Sequence, residues 1–194
     1  MEVKEPDFTY GNYSYADYLT WTMDEIVEII KGKVFKMNAP KRIHQELSGA
    51  LFTKIYNHLN NQKCKTYAAP FDVRLPIKSK KNEDIFTVVQ PDICVICDLE
   101  KLDDLGCIGA PDLVIEILSE GNNKKELKNK YEVYEESGVK EYWIINPKGQ
   151  TLTINTLVNG QYKTSRLLTT GDEITTAILP GFVLNLEDIF AHLN

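Results

Sequence analysis

The 194-residue chain has no long apolar run, so no segment of it is expected to span a bilayer as a helix. The first residues are polar and acidic. A basic stretch followed by an apolar one, the mark of a secretory signal, is missing, and a cytoplasmic location is the expectation. Basic charge is scarce as well: 22 Lys and Arg stand against 28 Asp and Glu, for a net charge of −6. A protein that coats nucleic acid without specificity would be basic, so that class is disfavoured. A nuclease is not, because an acidic metal pocket lowers the net charge by itself. Cysteine is sparse. The four are Cys64, Cys94, Cys97 and Cys107, and in a cytosolic chain they are expected to be reduced thiols. Cys94 and Cys97 form a C-x-x-C, but their surroundings have strand character, and residues three apart on a strand face opposite ways. With no second C-x-x-C in the chain, zinc binding is not expected. Repeats, low-complexity tracts and linkers are also lacking, and the length suits a single domain over residues 1–194.

What is present follows an α/β pattern. Residues 13–21 predict a short amphipathic helix with Ser14 as its cap. Ile26–Ile30 and Val34–Met37 flank Lys31-Gly32-Lys33 and predict a hairpin. Ile43, Leu47, Ala50, Leu51 and Ile55 repeat at helical spacing, which predicts a long helix over 41–60. Strands are expected in 64–75, 86–97 and 112–118, the last two apolar on both faces like central strands of a covered sheet. Residues 123–137 predict a second helix with Leu127, Tyr131 and Tyr134 inward and Gly138 as its terminator. Glu141–Ile145 is a buried strand, and strand–helix–strand implies a right-handed parallel crossover. Shorter strands in 151–157, 162–168 and 174–178, with turns at Asn159-Gly160 and Thr170-Gly171-Asp172, precede a helix over Leu186–Leu193. From residue 41 the order is helix, three strands, helix, strand.

Two central strands carry carboxylates where apolar residues belong. Asp92 interrupts the 86–97 run, and Glu116 sits within Leu113–Leu118. A buried carboxylate without a partner is expensive. If the two lie on neighbouring strands they repel by roughly 4 kcal/mol at ~4 Å and an effective dielectric of ~20. One of them then stays protonated, or a cation sits between them. Hard oxygen donors suit Mg²⁺ or Mn²⁺. Bland alternatives stand beside this. Asp92 follows Pro91 and Asp112 follows Pro111, as turn residues do. Glu116 would need a buried lysine instead, and Lys130, bordering the inner stripe of the second helix, is that lysine. Lys130 either pairs with Glu126 at the surface or turns inward to Glu116. Glu46 flanks the apolar face of the first long helix and is a further candidate acid. His44 lies within the stripe, where it is either a core histidine or a site residue. Asp72 and Arg74 share a strand face, as site residues or as an ion pair.

The residues Gly32–Met37, His44–Gly49, Ala68–Leu75, Pro91-Asp92, Pro111–Ser119, Lys130, Tyr134 and Gly138–Pro147 together resemble the Uma-two family of restriction-endonuclease-like proteins, which belongs to the PD-(D/E)XK nuclease superfamily. The resemblance covers nearly the whole chain. It implies a restriction-endonuclease-like core of helix, three strands, helix and strand at about 41–147, with an added N-terminal hairpin and a β-rich C-terminal extension. It implies a Mg²⁺-dependent (or Mn²⁺-dependent) endonuclease acting on DNA, with Asp92 and Glu116 as catalytic metal ligands, Lys130 as the catalytic lysine and Glu46 as the helix acid. The superfamily lysine belongs two residues after the second acid, where this chain has Leu118; the family pattern places a lysine in the following helix, matched by Lys130. Asp112, Asp72, Arg74 and His44 form a second tier. A homodimer suits cutting both strands. The competing expectation is a non-catalytic module of the same fold that binds nucleic acid or a protein; a metal-dependent hydrolase of another substrate is a third.

Overall fold

The computed structural model describes residues 6–7, 11–119, 124–191 and 193. In chain order the elements are α1 (Tyr15–Tyr18), β1 (Val27–Ile30), β2 (Lys33–Lys36), α2 (Arg42–His58), β3 (Lys65–Ala68), β4 (Val73–Arg74), β5 (Val88–Val89), β6 (Ile93–Ile96), β7 (Leu102–Asp103), β8 (Gly106–Ile108), β9 (Leu113–Ile117), α3 (Lys124–Ser137), β10 (Glu141–Asn146), β11 (Thr151–Val158), β12 (Gln161–Thr164), β13 (Leu168–Thr169), β14 (Glu173–Thr175), β15 (Val183–Asn185) and α4 (Leu186–Phe190).

Local chemistry accounts for several of these boundaries. Ser14 and Asp17 form a reciprocal capping box on α1. Lys31 and Gly32, both at positive φ, make the two-residue turn between β1 and β2. Gly138, at φ +87°, ends α3: the Val139 N–H reaches back to the Tyr134 carbonyl and the Gly138 N–H to that of Glu135. Asn185 caps α4, which stops at Phe190, short of the expected Leu193.

The main sheet runs β12-β11-β10-β9-β6-β3, with β13 also paired to β11. Its centre is the expected core. β9 and β10 pair in parallel around α3, while β3 and β6 pair antiparallel, as do β6 and β9. Alternation along β6 and β9 sends Ile93, Val95, Leu113, Ile115 and Ile117 toward α2 and α4. Cys94, Ile96 and Val114 point the other way, into the cluster that holds Val133 and Tyr134 of α3. Both faces are covered, which is why these strands are apolar on both sides apart from Glu116.

A second sheet, β2-β1-β5-β4-β8-β7, stands against this core. It revises the expectation of two continuous strands over 64–75 and 86–97. Each run is split: β3 and β6 serve the main sheet, β4 and β5 the second. The breaks fall at Pro70 and Pro91, which have no N–H to give a ladder. The N-terminal hairpin joins the second sheet through β5, and β11 and β12 widen the first.

The cysteines also differ from expectation. Cys64 and Cys97 form a disulfide, with Cα atoms 3.9 Å apart. The antiparallel register that sets Lys65 opposite Ile96 places residue 64 opposite residue 97, so the strand pairing itself brings them together. Cys94 and Cys107 are free and buried. Cys94 and Cys97 do face opposite clusters. Among the described residues no helix is long and apolar enough to cross a membrane.

Candidate active site

Glu116 lies in the middle of β9 with its carboxylate toward α3. Its Oε1 accepts hydrogen bonds from Lys130 Nζ at 2.9 Å and from the Tyr134 hydroxyl at 2.7 Å, both one helical turn apart on α3. Lys130, only 4% exposed, also meets Glu28 Oε1 of β1 at 3.0 Å. Lys130 is therefore turned inward, and the surface pairing with Glu126 is not what places it. Burial pushes the Glu116 carboxyl up to about 7; Asp92 and Glu28 add to the rise, while Lys130 and the Tyr134 hydrogen bond oppose it. Burial alone would strip the Lys130 proton, but Glu116 and Glu28 outweigh it and hold the ammonium well above its usual pKa.

Asp92 sits just before β6. The β6–β9 register sets Ile93 against Ile115, which brings position 92 level with position 116 on the neighbouring strand. Asp92 Oδ2 accepts the Ile117 N–H at 2.6 Å and lies 3.1 Å from His44 Nε2 on α2. Burial works against the His44 imidazolium, but the hydrogen bond and charge of Asp92, with Glu116 beyond, outweigh it and raise the pKa. His44 is thus a partner of the acid pair rather than a core residue, although its Nδ1 is buried with no partner.

The carboxylates share a pattern. Each commits one oxygen to the protein, Oδ2 of Asp92 and Oε1 of Glu116. Among the described residues, no protein donor meets the other oxygen of either group, and neither oxygen is sealed from solvent. Glu28 and Glu116 share one ammonium, Lys130, and Asp92 faces the His44 ring, so negative charge is in excess when the carboxylates are ionised. Hard oxygen donors with excess negative charge fit a divalent cation of the Mg²⁺ class. No group of three or more His, Cys, Asp and Glu with metal-holding geometry occurs among the described residues. A pair of carboxylates still suits Mg²⁺, which keeps several waters and takes one or two protein carboxylates.

The other candidates lie elsewhere. Glu46 is bound by Arg42 one turn earlier at 2.7 Å, on an exposed side of α2, and does not join Asp92 and Glu116. The inner face of α2 at that level belongs to His44 and Leu47, one turn apart. Asp112 accepts the Cys97 N–H at 2.7 Å and meets Lys140 at 2.6 Å, which ties β9 to the end of β6. Asp72 and Arg74 do not pair with each other. Asp72 accepts from the Tyr15 hydroxyl and from Gln90 Nε2, while Arg74 pairs with Asp103 and stacks its guanidinium over Tyr15. They hold α1 and the 102–108 hairpin onto the second sheet.

Two participants were not anticipated from sequence. Glu28 is buried in a β-branched strand, the anomaly that singled out Glu116, so the same test applied to Val27–Ile30 would have found it. Tyr134 was expected on the inner stripe, but its hydroxyl contact with Glu116 has no sequence signal. Beside His44 opens a cavity of about 480 Å³ between the start of α2 and the ends of β9 and β10, lined by Lys41, Ile43, Leu118, Asn146 and Lys148 among others. Leu118, at the superfamily's lysine position, is part of its wall.

A family model described as "Putative restriction endonuclease", Uma2, matches residues 15–187. The chain belongs to the Uma2 family. Its fold is that of a crystal structure from Anabaena variabilis ATCC 29413 described as a putative nuclease belonging to DUF820: the TM-score is 0.75 at 18% identity, over 94% of this chain and 99% of that one. No curated protein matches the chain. The Uma2 match spans both sheets and takes in Glu28, Asp92, Glu116 and Lys130.

Proposed function

We propose that this Uma2 protein is a divalent-metal-dependent endonuclease that hydrolyses phosphodiester bonds of DNA, with Asp92 and Glu116 as metal ligands and Lys130 as the catalytic cation. The observation that carries the reading is the pair of carboxylates at level positions, just before β6 and within β9, each fixed through one oxygen and open at the other. The family and the nuclease-like fold support it. When bound there, Mg²⁺ or Mn²⁺ supplies Lewis-acid polarisation of the phosphoryl group and acidifies an attacking water.

The chain's own residues do the rest. His44 and the Ile117 N–H fix the orientation of Asp92. Tyr134 and Lys130 fix that of Glu116, and Lys130 favours its ionised form, the one a cation needs. Two of the three Lys130 donors are engaged by carboxylates, which leaves one N–H for charge that develops on the phosphate. The cavity lined by His44, the partner of Asp92, with Lys41 and Lys148 on its wall, offers room for the nucleic-acid strand. A homodimer, which brings two such sites to a duplex, belongs to the same proposal.

The non-catalytic alternative also draws on an observation: the Glu28–Lys130–Glu116 network is satisfied without a metal. Plasmid cleavage with Mg²⁺ or Mn²⁺, compared with EDTA, separates the two. Cleavage is expected with metal and is lost in folded Asp92→Asn and Glu116→Gln. If no DNA is cut with either metal, or if cutting persists in both variants, the endonuclease reading fails.

A further inference from the structure

Glu28 has no direct part in the chemistry proposed above, yet it is one of the most completely buried charged groups of the protein, 3% exposed. Its neighbours on β1, Val27, Ile29 and Ile30, are buried too, and Ile29 and Ile30 dock the hairpin by apolar contact. An apolar residue at position 28 would serve that docking at lower cost, since a buried ion pair often contributes less than well-packed hydrophobes of similar volume. What Glu28 does that an apolar residue cannot is hold two things at once. A single oxygen, Oε1, accepts the Gln90 N–H at 2.8 Å and lies 3.0 Å from Lys130 Nζ.

Both partners lead to the acid pair. Lys130 goes directly to Glu116. Gln90 is two residues before Asp92, joined to it through Pro91, whose ring restricts φ and so makes that connection stiff. The Gln90 side chain is held as well, by Asp72 at 2.8 Å. A lysine side chain has four rotatable bonds and much entropy to lose, so one carboxylate confines its ammonium poorly. Carboxylates from two elements, β1 and β9, confine it better.

We propose that Glu28 is a positioning residue of the nuclease site: it anchors the Lys130 ammonium against Glu116 and pins the Gln90-Pro91-Asp92 segment, so that β1 of the second sheet sets the geometry of acids on the first. This rests on the reading of Asp92, Glu116 and Lys130 as a metal-dependent site. Glu28 itself touches neither metal nor DNA in this role.

The test compares full-length parent, Glu28→Gln and Glu28→Ala in three measurements: kcat and KM for plasmid cleavage with Mn²⁺, Mn²⁺ affinity by direct titration of the metal's EPR signal, and hydrogen exchange of the Gln90 amide. Glu28→Ala is expected to lower kcat by about 10–100-fold, with KM and Mn²⁺ affinity changed by no more than about three-fold. The Gln90 amide loses its protection. Glu28→Gln, which keeps an acceptor oxygen but not the charge, restores the Gln90 protection and recovers part of kcat, remaining about 3–10-fold below the parent. A kcat within two-fold of the parent in Glu28→Ala makes the residue merely structural and overturns the proposal. So does a loss of Mn²⁺ affinity as large as that of Asp92→Asn, which would make Glu28 a ligand. If Glu28→Ala does not fold, the isosteric Glu28→Gln decides, and parental kcat in it counts against positioning. If the parent itself cuts no DNA, the endonuclease reading is what has failed; undiminished Gln90 protection in Glu28→Ala would then overturn the anchoring separately.

Discussion

Glu116→Gln should make the metal-free protein more stable at about pH 8 while removing most of its response to Mg²⁺. The folded-state carboxyl of Glu116 is raised from 4.5 to about 7, by burial first and then by Asp92 and Glu28. A group raised in this way contributes stability that is full below its unfolded pKa and is lost as the pH climbs through its folded one. The window therefore runs from about pH 4.5 to about pH 7. The difference, about 7 less 4.5, is worth roughly 3 kcal/mol at ~1.4 kcal/mol per pH unit. Glutamine has the shape of the protonated carboxyl and keeps an oxygen for Lys130 and Tyr134. It forfeits the attraction between Glu116 and Lys130, but Glu28 still neutralises the ammonium. The net gain at about pH 8 is then ~1–3 kcal/mol, which for a chain of this length is about 2–12 °C in Tm. Thermal unfolding of parent and variant, in EDTA and in excess Mg²⁺, at about pH 5 and about pH 8, reads this directly. The variant should melt higher in EDTA at the upper pH, the gap should close toward the lower, and Mg²⁺ should raise the parent more than the variant. A variant that melts below the parent in EDTA at the upper pH would refute the reasoning, because the Glu116 charge would then be holding the fold together rather than straining it.

Other substitutions separate the site from its surroundings. Lys130→Met leaves Glu28 and Glu116 buried without their counter-ion, and urea unfolding at about pH 8 should show a loss of about 3–5 kcal/mol that shrinks as Glu116 protonates toward about pH 5. Glu46→Ala removes only an exposed pair with Arg42, so stability should move by ~1 kcal/mol or less, and metal-dependent cleavage should stay within about two-fold of the parent. A thiol titration of protein denatured without reductant should count two thiols, Cys94 and Cys107, and a count of four would show that the pairing of Cys64 with Cys97 is not formed.

How much of this was legible in the sequence depends on how local each signal is. The core order of elements follows from hydrophobic period and turn residues, and it appears as expected between α2 and β10. Glu116 stood out because a carboxylate among Val, Ile and Leu has no cheap explanation. Glu28 has the same signature, but the segment was read only for its hairpin pattern. The splitting of the 64–75 and 86–97 runs at Pro70 and Pro91, each moving the chain from one sheet to the other, was not legible, because sheet membership depends on strands far along the chain. The Cys64–Cys97 pairing is likewise a matter of register between β3 and β6. Glu46 was misplaced for a narrower reason. Position 44 is one turn before Leu47 and shares its face, whereas 46 is rotated well away from it. Arg42 then takes its carboxylate.

The position of the lysine shows why motif spacing underdetermines such a site. Residues 116 and 118 alternate onto one face of β9, so a lysine at 118 would approach its acid along the strand. In this chain position 118 is Leu118, at the strand end, and it lines the cavity beside His44. On the proposed reading the ammonium comes instead from α3, which already packs on the Glu116 face through Val133 and Tyr134. What the site requires is a positive charge about 3 Å from the carboxylate, and the sheet face together with the helix above it supplies more than one Cα from which a lysine can reach. Moving the lysine to a helix has a consequence. A side chain that enters from outside the strand must cross the interior, where it needs a second carboxylate to remain charged and in place, and β1 supplies that group as Glu28. On that reading Lys130 and the buried acid of the hairpin act together, and a chain of this family that kept Lys130 while losing Glu28 would be expected to hold its ammonium, and with it Glu116, less well.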